Sequence, residues 1–184
     1  MKCTECSNAM TKSVGQHHYT ESGLDNVILH SVTKYECESC GAKRVVIPAV
    51  AQLHRTIARE LARKPARLVP AEVAFLRDHL ELSNKEFADL MGVSPEHASR
   101  WTSSDQIGVP AERFLRMLAV LGPEAVAQRK ARSTLKEQLE INVGEIVETL
   151  GYLPSRDEPV REVSIGLRRA GAAGWKAAAG NGPN

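Results

Sequence analysis

The twenty residues 82–101, LSNKEFADLMGVSPEHASRW, leave the chain few choices, because they carry two helix starts and one helix stop in a space too short for any longer element. Ser83 is an N-cap residue with Glu86 three positions on, the pattern of a capping box. Phe87, Ala88 and Met91 then share one face of a short helix, and Gly92 stops it. Ser94-Pro95-Glu96 supplies a second N-cap with proline at the first helical position, where its missing N–H costs nothing. The spacing predicts a second helix over 95–102, with Ala98 and Trp101 inward and Glu96, His97, Ser99 and Arg100 on or beside the outward side. Two helices joined by a glycine turn, the second polar on its outer face, make a helix-turn-helix whose second helix can enter a DNA major groove. The competing reading is an ordinary helical hairpin that packs a core and touches no nucleic acid.

The four cysteines of the chain form two pairs, Cys3-Thr-Glu-Cys6 and Cys37-Glu-Ser-Cys40, with Gly41 after the last. A CxxC turn points two sulfurs at one ion, and two such knuckles complete the closed thiolate tetrahedron that zinc favours in structural sites. Cys3, Cys6, Cys37 and Cys40 are therefore the expected ligands of one Zn²⁺, and Gly41 suits a knuckle needing positive φ. Strands are expected over 14–20 and 27–35, with Ser22-Gly23 and Asp25-Asn26 between them. So small a sheet has little core of its own, and bound metal would supply most of its folding energy. Rubredoxin-like iron and a redox disulfide pair are the other readings of the cysteines. A zinc hydrolase or deaminase needs an open coordination position and a general acid/base, and no HxE partnered to PCxxC is present.

A net charge of +2 says little until it is divided along the chain. Residues 1–40 carry three basic against five acidic side chains, residues 41–68 seven against one, and residues 69–121 five against eight. The DNA-reading candidate is itself acidic. Phosphate affinity must then come from a few placed donors and from the basic segment before it. That segment reads as a helix begun by Pro48 and ended by Pro65, with Val50, Leu53, Ile57 and Leu61 inward and Arg55, Arg59 and Arg63 at intervals of four on the opposite side. The stripe is either a track for a phosphate backbone or a solvated face.

After that linker, Pro70-Ala71-Glu72 opens a further helix, and Val109-Pro110 precedes another carrying Phe114, Leu115, Leu118 and Leu121. Within the reading unit, Arg100 is the expected base-reader, since a guanidinium pairs bidentately with guanine. Glu96 either accepts from cytosine or complements the helix dipole. His97 and Ser99 are placed at the groove, and Ser94, Asn84 and Lys85 at helix N-termini, where phosphate is held.

These residues resemble the Xre/lambda-repressor type of helix-turn-helix, whose form here would be LSQxELAxxxGVSxxxVSRWE. Asn84, Ala98 and Thr102 depart from it, standing where that family has glutamine, valine or isoleucine, and glutamate. A double CxxC module followed by such a unit resembles the MqsA family of antitoxins, also described as the YgiT-type zinc-finger family, over roughly residues 1–121. The resemblance implies a zinc module that binds a partner toxin, a basic mRNA-cleaving ribonuclease. It also implies a helix-turn-helix domain that dimerises on a palindromic operator and represses its own operon. An autonomous regulator without a toxin, and a metal- or redox-responsive regulator, stay open as alternatives.

The expected organisation is α+β: a zinc-bound β module over 1–47, a basic linker helix over 48–67, an all-α helix-turn-helix bundle over 68–122 and a helical extension over 123–152. In the extension, Leu135, Leu139, Val143, Ile146, Val147 and Leu150 make an apolar stripe suited to a homodimer contact. Residues 153–184, ending in Ala, Gly and Asn around an isolated Trp175, read as a largely flexible tail. Nothing near Met1 resembles a signal peptide and no membrane segment is seen, so a cytoplasmic, reducing compartment is expected. No Ser/His/Asp set, P-loop or placed carboxylate pair points to an enzyme.

Overall fold

The computed structural model describes residues 1–124, 126–127, 151, 153–154, 157–171 and 174–178. Strand β1 (Thr11–His18) runs antiparallel to β2 (Val27–Glu36), and the second half of β2 pairs with β3 (Lys43–Val46). The first half of β2 pairs in parallel with β4 (Ile165–Ala170), which turns back into β5 (Gly174–Ala177). Midway along β2 the register slips: Gly15 faces Val32 and His17 faces Leu29, leaving Gln16 opposite both His30 and Ser31. Ser31 absorbs the extra residue at φ 59°, a left-handed bulge position. The bulge keeps Leu29 and Val32 on the same side of the sheet, and both are buried.

That side is covered by helix α1 (Val50–Arg63), whose Leu53, Ile57 and Leu61 are buried at the expected intervals of four, with Ala58 and Ala62 beside them, whereas Val50, expected inward, stands exposed in the first turn. The helix begins two residues later than Pro48, because Ala49 sits at φ 54° and turns the chain. Beyond it pack α2 (Pro70–His79), α3 (Asn84–Met91), α4 (Pro95–Trp101) and α5 (Val109–Leu121). One continuous apolar cluster runs from Tyr19, Leu24 and Val27 of the sheet through α1 to Phe87, Trp101 and Leu115. The β module therefore shares its core with the helices, and only its cysteine end has a small cluster of its own.

Residues 153–184 are not simply a tail: Ile165, Leu167 and Trp175 are buried against the sheet and α1. Trp175 donates from Nε1 to the Pro48 carbonyl at 3.0 Å, and its N–H reaches Gln52 Oε1 at 2.7 Å. The first strand ends at His18, not Thr20, because Tyr19 turns inward and its hydroxyl meets His54 Nε2 at 2.9 Å. In α5, Leu115 is buried and Leu118 and Leu121 are partly covered as expected, but Phe114 is exposed while Glu112 and Arg116 are buried, a local reversal within the stripe.

The reason for that reversal is the C-terminal end of α1. Arg116 reaches across to the carbonyls of Leu61, Ala62, Lys64 and Ala66 at 2.7–3.1 Å, supplying donors that the end of a helix lacks. Glu112 holds Arg116 on one side and Arg67 on the other, each at 2.9 Å. Lys64 is paired with Glu72 beside this set, and burial pushes the Lys64 ammonium down and the Glu72 carboxyl up. Two charges of the basic linker, Lys64 and Arg67, are thus spent inside the protein. The expected stripe over 135–150 lies outside the described residues.

Candidate metal centre and nucleic-acid interface

The two CxxC segments fold as copies of one another. In each, the residue after the second cysteine takes a left-handed conformation, Ser7 at φ 62° and Gly41 at φ 72°. Its N–H then bonds back to the first cysteine's carbonyl, Ser7 to Cys3 at 3.0 Å and Gly41 to Cys37 at 2.8 Å. The first cysteine's N–H closes the loop on the following residue, Cys3 on Asn8 at 2.8 Å and Cys37 on Ala42 at 2.9 Å. Gly41 was legible as such a position, whereas Ser7 was not, since a serine rarely signals positive φ.

This folding brings the four sulfurs of Cys3, Cys6, Cys37 and Cys40 within 4.8 Å of one another. Cys3 and Cys40 are 3.5 Å apart, and Cys6 and Cys37 are 3.4 Å apart. A tetrahedron of thiolates at about 2.3 Å from zinc has edges of about 3.8 Å, so the cluster fits the ion. None of the four is joined in a disulfide. Their electrostatics also suit a cation. The N–H of Cys40 chiefly, with the Cys6 sulfur, brings the Cys37 thiol down to about 7. Cys40, although the Ala42 N–H favours its thiolate, is pushed up to about 12 by the three neighbouring sulfurs. Four thiolates this close repel unless a metal neutralises them. Met10, Tyr35 and Ala42 pack around the cluster, and Cys40 is on its exposed side.

The capped pair of helices forms as its sequence predicts. Ser83 Oγ accepts from the Glu86 N–H at 3.3 Å while Glu86 accepts from the Ser83 N–H at 2.9 Å. Gly92 ends α3 at φ 68°, and Ser94 Oγ accepts from the His97 N–H at 3.3 Å to start α4. The pair is fixed from within by Phe87 and Trp101, edge to face at 6.4 Å, with Ala98 buried beside them. Asn84 adds a bracket, donating from Nδ2 to the Pro95 carbonyl at 2.9 Å. Its amide N–H group is therefore committed between the helices, unlike the phosphate donor the sequence suggested.

Glu96, Ser99 and Arg100 stand exposed along the outer side of α4, with Ser94 before them and Lys85 exposed on α3. The Glu96 carboxyl is held below the usual range by its own backbone N–H and by the Ser94 hydroxyl. His97 is half-buried, its ring 4.7 Å from that of Trp101. Arg100 pairs through Nε with Asp105 at 3.2 Å, both side chains about half exposed, at 59% and 49%. Asp105 was missed, because nothing in the spacing marks a loop residue that folds back four to five positions onto a helix.

No protein-family model, curated protein or solved structure matches this chain. The arginine stripe is divided: Arg55 and Arg59 are exposed on α1, Arg63 is partly covered, and Arg55 meets Glu124 at 2.7 Å. Among the described residues, no helix is long and apolar enough to cross a membrane.

Proposed function

We propose that this protein is a zinc-stabilised, DNA-binding transcriptional repressor of Xre type, with α4 as its recognition helix. The observation that carries the reading is the exposed edge of a rigid helix pair: Ala98 and Trp101 are buried, and Glu96, Ser99 and Arg100 are left facing out. The Arg100–Asp105 pair supports it, since a surface ion pair is worth roughly 0–1 kcal/mol and gives way readily to a guanine edge. Zinc on Cys3, Cys6, Cys37 and Cys40 holds the two knuckles closed and has no step in DNA reading.

The resemblance to MqsA-family antitoxins extends the proposal. The chain acts as a homodimer on a palindrome with half-sites one helical turn apart, and neutralises a basic ribonuclease toxin by direct binding. In the test, Arg100→Ala is titrated against the chain's own promoter and against unrelated duplex. Loss of preference by roughly 10- to 100-fold, at unchanged circular dichroism, is expected. Retained preference would discard α4 as the reader. Co-purification with the product of the neighbouring gene tests the toxin, and no complex with it leaves the repressor without an antitoxin role.

A further inference from the structure

The face of the sheet turned away from α1 plays no part in this reading, and its composition is one-sided. The register sets which side chains share it. Because Leu29, Val32 and Leu167 point into the core, His30, Thr33 and Arg168 point out. Pairing then lays Lys12, Tyr35 and Arg44 in one row across three strands, and Val14, Thr33 and Val46 in the next. Beyond the bulge, His30, Arg168 and Lys176 form a third row. Every one of these residues is exposed or half-exposed, Val14 at 65% and Val46 at 42%.

The five strands contain a single carboxylate, Glu36, and it lies on the other face, paired with Lys43 at 3.3 Å. Among the described residues no carboxylate pairs with Lys12, Arg44, Arg168 or Lys176; Arg44 meets only the Thr4 hydroxyl, at 3.0 Å. Tyr35 leans on the cysteine cluster, which closes one end of the face. Cations without counter-charges ask for a polyanion, and the apolar row and aromatic rings between them ask for a ligand with flat, apolar surface as well as charge.

Four strands side by side span about 14 Å, too broad and flat for a major groove about 12 Å wide, which takes a helix or a two-stranded ribbon. A single strand, with bases free of a duplex, meets no such limit. We propose that this outer face binds single-stranded nucleic acid, with phosphates against Lys12, Arg44, Arg168 and Lys176 and bases stacked over Tyr35 and His30. It is a surface separate from α4 and stands whether or not α4 reads duplex DNA.

The test uses the full zinc-loaded chain and fluorescence anisotropy with labelled 15-mers of oligothymidylate and oligouridylate. Duplex of the same length and a polyglutamate of matched charge serve as competitors. The wild type is expected to bind the single strands with a log–log salt slope of about −2.8, from four cations at about −0.7 each. Replacing Lys12, Arg44, Arg168 and Lys176 by alanine should weaken binding at least tenfold and flatten the slope, while exchanging Lys and Arg among them should not. Tyr35→Ala should cost about tenfold and Tyr35→Phe little. Arg100→Ala should leave single-strand binding unchanged. Unaltered affinity in the alanine variant would overturn the assignment. Polyglutamate displacing the oligonucleotide at equal charge concentration, with no effect of Tyr35→Ala, would overturn it in favour of an acidic protein partner.

Discussion

Arg116→Met removes the donor set that closes the C-terminal end of α1. The guanidinium is fully buried and serves the carbonyls of Leu61, Ala62, Lys64 and Ala66. Leu61 keeps a second partner in the Lys64 N–H at 3.3 Å, and Glu112 keeps Arg67, so three carbonyls lose most. At about 1–3 kcal/mol for each unsatisfied buried group, the sum is about 3–9 kcal/mol. Two terms reduce it: methionine fills much of the volume, and the cost of desolvating a cation disappears. A net loss of about 3–5 kcal/mol is expected, a large part of the 5–15 kcal/mol typical of a folded domain. Arg116→Lys, which keeps the charge but loses the planar fork, should fall between the two. Urea unfolding followed by far-ultraviolet circular dichroism at neutral pH measures both. A loss below about 1 kcal/mol for Arg116→Met would mean that the carbonyls find other donors, and that the buried charges are not what joins α5 to α1.

Trp175→Ala should destabilise the whole chain by about 3–5 kcal/mol, since the indole is 4% exposed and bonds to the Pro48 carbonyl; an unchanged urea midpoint would return that segment to a loose tail. His79 is brought down to about 4 by burial, with His54, Arg55 and Arg59 adding to the effect. The unfolded chain takes up that proton below 6.5 and the folded one only near 4, so stability is intact above 6.5 and lost as pH falls through this window. The loss would be roughly 3 kcal/mol if fully buried and about 1–2 kcal/mol with partial exposure, and His79→Gln should flatten the unfolding profile between those pH values. Cys37→Ser should abolish stoichiometric zinc, read by elemental analysis. Amide exchange should then rise at Ser7 and Gly41 while Phe87 and Ala88 stay protected, because the cysteine end has a core of its own and the helices do not depend on it; simultaneous loss at both places would refute that division.

The helical half was legible because its signals are local. A cap, a glycine stop and a second cap act within four residues, so the Ser83–Gly92–Ser94 series could be read directly. The four cysteines were equally readable, since their spacing is their geometry. What stayed hidden depends on distant partners. Ile165 and Leu167 alternate with Gly166 and Arg168, yet their parallel neighbours Val27 and Leu29 are far away in the chain, and a short alternating run without a nearby mate looks like a linker. Glu112 and Arg116 stand four apart on a helix, a spacing that normally marks a solvated pair. The carbonyls that draw them inward come from another helix end. The count of basic side chains over 41–68 overstates the charge at the surface for the same reason, because burial of Lys64 and Arg67 cannot be seen in a sum of charges.

The parallel seam between Val27–His30 and Ile165–Arg168 also orders events in time. A ribosome releases the first of these strands long before it makes the second, so the Val27–His30 edge of β2 waits with its N–H and C=O groups unanswered until Ile165–Arg168 arrives. Nascent chains halted before Ile165 would carry that open edge, and would invite chaperones, proteases or each other. Completion of the hairpin is then the step that makes the molecule safe to release.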